Sequence, residues 1–150
     1  RRLHPEETHV QTSLHELPFP DDSFDIAMSL ETLEHVPDPL IFLRELRRVL
    51  VEGGQLVMSL PPAFAEWTSV LNSMLRFHHG EGPHRFLAPG EVKRMLREAG
   101  FDLLDHEGTL FIPFGGMRME RLDVQLGRLF GSGPLASLGI RQFYVCSATL

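Results

Sequence analysis

Of the 150 residues only one is a cysteine, one a tryptophan, one a tyrosine, and one, Lys93, a lysine. The lone Cys146 excludes an internal disulfide, and its place in an apolar, strand-like run reads as an inert buried thiol rather than a nucleophile. No apolar run approaches the roughly 20 residues that a membrane-spanning helix needs, so no membrane span is expected. The N-terminus has no signal-like pattern, which together with the single cysteine points to a reducing cytoplasm. Positive charge is in deficit, with 14 Lys and Arg against 20 Asp and Glu and a formal net charge of −6. The arginines are scattered through candidate helices instead of forming a basic run, so nucleic acid is not expected as a partner. No G-x-G-x-x-G pattern occurs anywhere, and Gly53-Gly54 and Gly115-Gly116 read as helix punctuation and turn. The first residue is Arg1 and not methionine, and the sequence is expected to begin inside a longer reading frame.

A hydrophobic content of 43% suits one packed core, and the chain is read as one domain, or part of one, over 1–150. The segment Glu7 to Leu14 is compatible with a short strand, and Leu17 to Asp22 (LPFPDD) must be loop. Phe24, Ile26, Met28 and Leu30 alternate with Asp25, Ala27 and Ser29. Because the intervening positions are partly apolar too, this strand is expected to be buried on both faces of a parallel sheet. Asp38 is placed to cap a helix whose first residue is Pro39, with Leu43, Leu46 and Leu50 on one face and Gly53-Gly54 as its stop. Residues 55–60 (QLVMSL) then read as a strand, closing a right-handed parallel crossover. Further on, Pro89 to Ala99 reads as an amphipathic helix stopped by Gly100, FDLLDHEG as a strand, Met117 to Phe130 as a helix and QFYVCSATL as a terminal strand.

The block LPFPDDSFDIAMSLETLEHVPDPLIFLRELRRVLVEGGQLVMSL, Leu17 to Leu60, resembles the central part of class I S-adenosylmethionine-dependent methyltransferases of the small-molecule, type 11 family. The match combines LPF, an SFD entry to a strand, LEHV, and a Glu followed by R-V-L-x-x-G-G, in the family's order and spacing. Weaker likeness continues through Pro83-His84-Arg85-Phe86 and through REAGF at Arg97 to Phe101. The resemblance implies an α/β, Rossmann-like sheet in the order 3-2-1-4-5-7-6, with helices on both faces and the last strand antiparallel. On that map the chain supplies strands three to seven, and the N-terminal strands one and two are missing, with the glycine-rich turn and the acidic ribose ligand. The Phe24 to Leu30 strand then exposes a long apolar edge, and a homodimer through that open sheet edge is expected of the chain on its own.

The cofactor that the resemblance implies is S-adenosylmethionine, and the reaction is methyl transfer to an O, N or C atom of a small-molecule acceptor. Ser13 stands where many relatives carry an Asp that bonds the adenine amino group, and Leu14 follows with a backbone N–H suited to a ring nitrogen. A serine simply closing an edge strand is the alternative reading. Ser29, Leu30 and Glu31 occupy the carboxyl end of the family's fourth strand, where open α/β sheets bind ligands, and are assigned to the cofactor. His35 is the one catalytic candidate, as a general base, with packing and loop capping as the alternative. Residues 63–90 read as an acceptor-side helix and lid in which Trp67, His84 and Arg85 face the acceptor, with core filling under a helix as the alternative for Trp67. His78, His79, His84 and His106 fit no standard ligand spacing, and no metal is expected. Glu45 and Arg48 share a helical face and read as a local ion pair. A methyltransferase-like module without catalysis, serving binding or assembly, stays open as the second function.

Overall fold

The computed structural model describes residues 9–61, 87–109, 117–139 and 141–149. Trp67, His84, Arg85 and the lid expected over 63–90, up to residue 86, lie outside the described residues. Strand β1 (Phe24–Leu30) leads through a 3-10 turn (Leu33–His35) to helix α1 (Pro39–Val49) and strand β2 (Leu50–Leu60). Helix α2 (Pro89–Glu98), strand β3 (Phe101–Thr109), helix α3 (Met117–Phe130), a 3-10 segment (Gly133–Leu138) and strand β4 (Arg141–Ala148) follow. The sheet order is β1-β2-β4-β3, with β1 parallel to β2 and β4 antiparallel to both of its neighbours. This is the 4-5-7-6 half of the expected order, including its reversed last strand.

The helices form where the local chemistry directs. Asp38 accepts a hydrogen bond from the Ile41 amide at 3.2 Å, and Pro39 occupies the first turn, where its missing N–H costs nothing. The helix presents Phe42, Leu43, Leu46 and Val49 to the core, and α2 adds Val92, Met95 and Leu96. Both faces meet Leu56, Met58 and Leu60 of β2 and Tyr144 and Cys146 of β4 in one cluster. Each such side chain fully buried contributes about 1.5–3 kcal/mol, so this cluster is the main source of cohesion among the described elements. Gly100, at φ +89, lets the chain leave α2 and enter β3. At the far end of α1, the Arg47 guanidinium donates to the carbonyls of Thr149 at 2.8 Å and Leu50 at 3.1 Å, tying helix to terminal strand.

Three local expectations are corrected. Gly53-Gly54 does not stop α1, which ends at Val49 when Leu50 turns extended; the pair instead lies within β2, with Gly53 at φ +75. There the register jumps from Phe24↔Leu50 to Ile26↔Gln55, so the glycines accommodate an irregularity in the pairing and not a helix end. Residues 9–14 form no strand, only an isolated antiparallel bridge from Ser13 to Glu16. A strand is held by a neighbour's hydrogen bonds, and no described strand lies beside this segment. Finally, β1 is not buried on both faces. Ala27 packs against the core and Ser29 is buried, but Ile26, Met28 and Leu30 on the opposite face are 58%, 67% and 50% exposed.

A buried polar cluster fastens the 3-10 segment to the sheet. Gln142 donates from Nε2 to the carbonyls of Ala136 at 3.1 Å and Gly139 at 2.5 Å, leaving its Oε1 to meet His106 Nε2 at 2.6 Å. That orientation assigns the imidazole proton to Nε2. The ring stacks on Tyr144 with centroids 4.6 Å apart, and burial holds the His106 pKa below its ordinary value, outweighing the bond from Gln142. Burial also pushes the Cys146 thiol up to about 12, in keeping with the inert thiol read from the sequence.

Candidate active site

The carboxyl end of β1 is where a parallel strand hands over to the loop ahead of α1. Ser29 turns inward and is buried, while Leu30 faces the open side. Glu31 then takes φ +50, a left-handed conformation that a residue with a Cβ adopts at a cost of about 1–2 kcal/mol. What holds it there is Ser59 on β2, which grips Glu31 twice. The Ser59 carbonyl accepts the Glu31 amide at 2.9 Å, and the Ser59 hydroxyl donates to Glu31 Oε1 at 2.7 Å. The guanidinium of Arg141, the first residue of β4, approaches the same oxygen with Nε at 3.5 Å. Since β4 runs antiparallel, its start lies beside the carboxyl ends of β1 and β2, which is how a residue 110 positions further along reaches Glu31. A carboxylate fixed by a hydroxyl and a cation at a strand end is a preorganised polar group in the place where open α/β sheets bind ligands.

His35 follows in the 3-10 turn, its amide donating to the Thr32 carbonyl at 3.0 Å, with an exposed side chain. Leu33 and Val36, both buried, anchor the turn on either side. His35 is thus displayed to solvent from a fixed backbone.

Ser13 and Leu14 lie in a separate, exposed turn. The Glu16 amide donates to the Ser13 carbonyl at 3.3 Å, and the His15 amide donates to Ser13 Oγ at 3.2 Å. The structure therefore places Ser29, Leu30 and Glu31 at one strand end and His35 in the turn that follows it, while no hydrogen bond or ion pair among the described residues links Ser13 to them. Ser59 and Arg141 are the residues that sequence reasoning missed. A serine before Leu60-Pro61 at a strand end was a faint signal for the first. Nothing local marks Arg141, because only the antiparallel return of β4 brings it to Glu31.

The family model described as a methyltransferase domain matches residues 1–58. The ubiquinone biosynthesis O-methyltransferase of Cereibacter sphaeroides is 32% identical over 124 residues, covering 75% of this chain and 50% of that protein. The protein of the same description from Xanthomonas euvesicatoria is 35% identical over 102 residues, covering 61% of this chain and 41% of its own length. An S-adenosylmethionine-dependent methyltransferase from Thermotoga maritima superimposes with a TM-score of 0.70 at 22% identity, covering 93% of this chain and 63% of that structure. The strand order, the reversed last strand and these relationships place the chain in the class I S-adenosylmethionine-dependent methyltransferase family. It spans about half the length of the curated relatives it matches.

The polar groups present are of the kinds an adenosyl group takes. The exposed Ser13-Leu14 turn carries a hydroxyl and backbone groups, and the strand end at Ser29 to Glu31 carries a held carboxylate and backbone polar groups. No helix among the described residues is long and apolar enough to cross a membrane.

Proposed function

We propose that the protein carrying this chain methylates a hydroxyl oxygen of a small-molecule acceptor. The oxygen is supported by the O-methyltransferase names of the relatives, and the observation that carries the reading is Glu31, strained and doubly held at the carboxyl end of β1. S-adenosylmethionine, when bound, supplies an electrophilic methyl group. Ser13 and Leu14 would hold its adenine, and Ser29, Leu30 and Glu31 would line its other side. His35 takes the proton that the acceptor hydroxyl gives up as its oxygen gains the methyl group. Positioning of the two reactants supplies much of the acceleration, which is why the chain needs few reactive side chains. The lone buried Cys146 agrees with work in a reducing cytoplasm, and Trp67, His84 and Arg85, within residues 63–90, are assigned to the acceptor.

Calorimetric titration of S-adenosylhomocysteine into the 150-residue chain and into the longest natural polypeptide containing it tests this reading. Binding by the longer polypeptide, at least about tenfold tighter than by the chain alone, is expected because a glycine-rich turn and a ribose carboxylate supply the larger share of such a site. Binding by neither would sink the enzyme reading in favour of a fold kept for assembly.

The 150-residue chain by itself is further expected to self-associate through β1. One edge of that strand is unpaired among the described strands, and on its outer face Ile26, Met28 and Leu30 form an exposed apolar row. Light scattering should give a mass of twice the monomer or more, and a monomer with fully protected β1 amides in hydrogen exchange would contradict the edge assignment.

A further inference from the structure

Arg48, on the solvent side of α1, uses its whole guanidinium. Its Nε donates to Glu45 Oε1 at 3.0 Å and one terminal nitrogen to Glu45 Oε2 at 2.9 Å, a two-pronged pair one turn apart. The same nitrogen donates to the Leu17 carbonyl at 3.0 Å, and the other reaches the Phe19 carbonyl at 2.8 Å and Asp21 Oδ1 at 2.7 Å. Glu45 Oε2 in turn accepts the Leu17 amide at 3.0 Å. Leu17 is therefore held by both its N–H and its C=O, and the loop down to Asp21 is strung along one arginine.

Immediately before Leu17 stands the Ser13 to Glu16 turn. The hydrogen bonds described within residues 12–16 are all local, from Thr12 Oγ1 to the carbonyls of Ser13 and Glu16, from His15 to Ser13 Oγ and from Glu16 to Ser13. Ser13 and Leu14 are exposed, and within residues 12–16 His15 alone is partly buried. The described bonds that first leave this stretch of chain are those from Leu17 to Glu45 and Arg48. We propose that Glu45 and Arg48 are a positioning pair for the cofactor, setting the Ser13-Leu14 turn in its binding place through Leu17. This rests on the reading of Ser13 and Leu14 as the adenine contacts.

Chemistry favours positioning over simple stabilisation. The Arg48 side chain keeps 31% of its surface in water, Glu45 18% and Asp21 73%, so the exposed Arg48–Asp21 arm adds little to folding while the Glu45 arm is the sheltered one. What the pair does supply is direction, since a planar fork meeting a carboxylate fixes geometry as a single ammonium cannot. The Glu45 carboxyl is held below the usual carboxylate range, first by the bond from Arg48, so the pair stays charged through the neutral range. A turn released from it visits its binding arrangement for a smaller fraction of the time, and apparent affinity falls by that fraction.

The test uses Glu45→Gln, Arg48→Lys and Arg48→Met in the longest natural polypeptide containing this chain. Arg48→Met should weaken S-adenosylhomocysteine binding and raise KM for S-adenosylmethionine by about tenfold, while kcat at saturating cofactor stays within about twofold. Arg48→Lys, which keeps charge and loses the fork, should recover only part of the affinity, and the Glu45→Gln, Arg48→Met double variant should be little worse than Arg48→Met. Hydrogen exchange at the Leu17 amide should quicken in Glu45→Gln without cofactor present. Unchanged affinity and unchanged Leu17 exchange in folded variants would overturn the pair's role, as would a loss confined to kcat. A wild-type protein that fails to bind S-adenosylhomocysteine would instead overturn the cofactor reading beneath it, and quickened Leu17 exchange would then mark the pair as a loop tether only.

Discussion

Replacing Gly108 by alanine is expected to lower stability by about 3 kcal/mol or more, with a fall in thermal midpoint of roughly 6–12 °C for a chain of this size or somewhat larger. Gly108 lies in β3 against the 3-10 segment Gly133–Leu138, and its amide donates to the Gly131 carbonyl at 2.7 Å. A Cβ at Gly108 would overlap the Ala136 carbonyl oxygen. That atom is backbone and cannot swing aside, and it already accepts from Gln142 Nε2 at 3.1 Å. Gly139 closes the same contact from the other side, since a Cβ there would come within 2.6 Å of the Gly108 carbonyl carbon. The substitution must therefore push the segment off the sheet and loosen the His106 to Gln142 bond with it. Gly90, in the first turn of α2, is the control: a Cβ there meets nothing within 4 Å, and Gly90→Ala should be neutral or stabilising by up to about 1 kcal/mol. Thermal unfolding of the natural polypeptide with either change gives the comparison. A Gly108→Ala midpoint indistinguishable from wild type would show that the 3-10 segment does not pack on β3 as described.

Glu31→Gly is expected to separate folding from function. Glycine adopts φ +50 without strain, which gains about 1 kcal/mol, while the loss of the Ser59 hydroxyl bond and the freer unfolded chain offset most of that gain. Net stability should therefore stay within about 1 kcal/mol of wild type. Methyl transfer, on the function proposed above, should fall by about 100-fold, because a fixed polar group at the site is removed. Glu31→Gln keeps an acceptor for Ser59 and gives up the charge facing Arg141, so an intermediate rate is expected. Steady-state kinetics and denaturant unfolding on the same preparations decide the matter. A Glu31→Gly variant with wild-type kcat/KM would show that the strained conformation serves the turn alone.

The long elements were legible because their patterns are local. The leucines and arginines of α1 repeat at helical spacing, Asp38-Pro39 marks its start, and Leu56, Met58 and Leu60 alternate as a strand must. Ser29, Leu30 and Glu31 could be named because a strand entering a loop before a helix defines its own carboxyl end. The errors arose where the deciding partner is distant in sequence. Gly53-Gly54 looked like a helix stop because glycine marks both helix ends and strand irregularities, and only the pairing with β1 distinguishes them. The supposed strand before Leu14 had suitable residues and no described neighbour to bond.

The sequence by itself determined the kind of sheet, the crossover from β1 through α1 to β2, the family, and the residues at the strand end, all of which follow from spacing along the chain. Only the tertiary structure decided that Ser59 and Arg141 hold Glu31, that Arg48 strings together the loop from Leu17 to Asp21, and that Gly108 must lack a side chain. The physical reason is the same in each case. These interactions join groups some 27 to 110 positions apart, and no periodicity records them because their geometry exists only after the strands have paired.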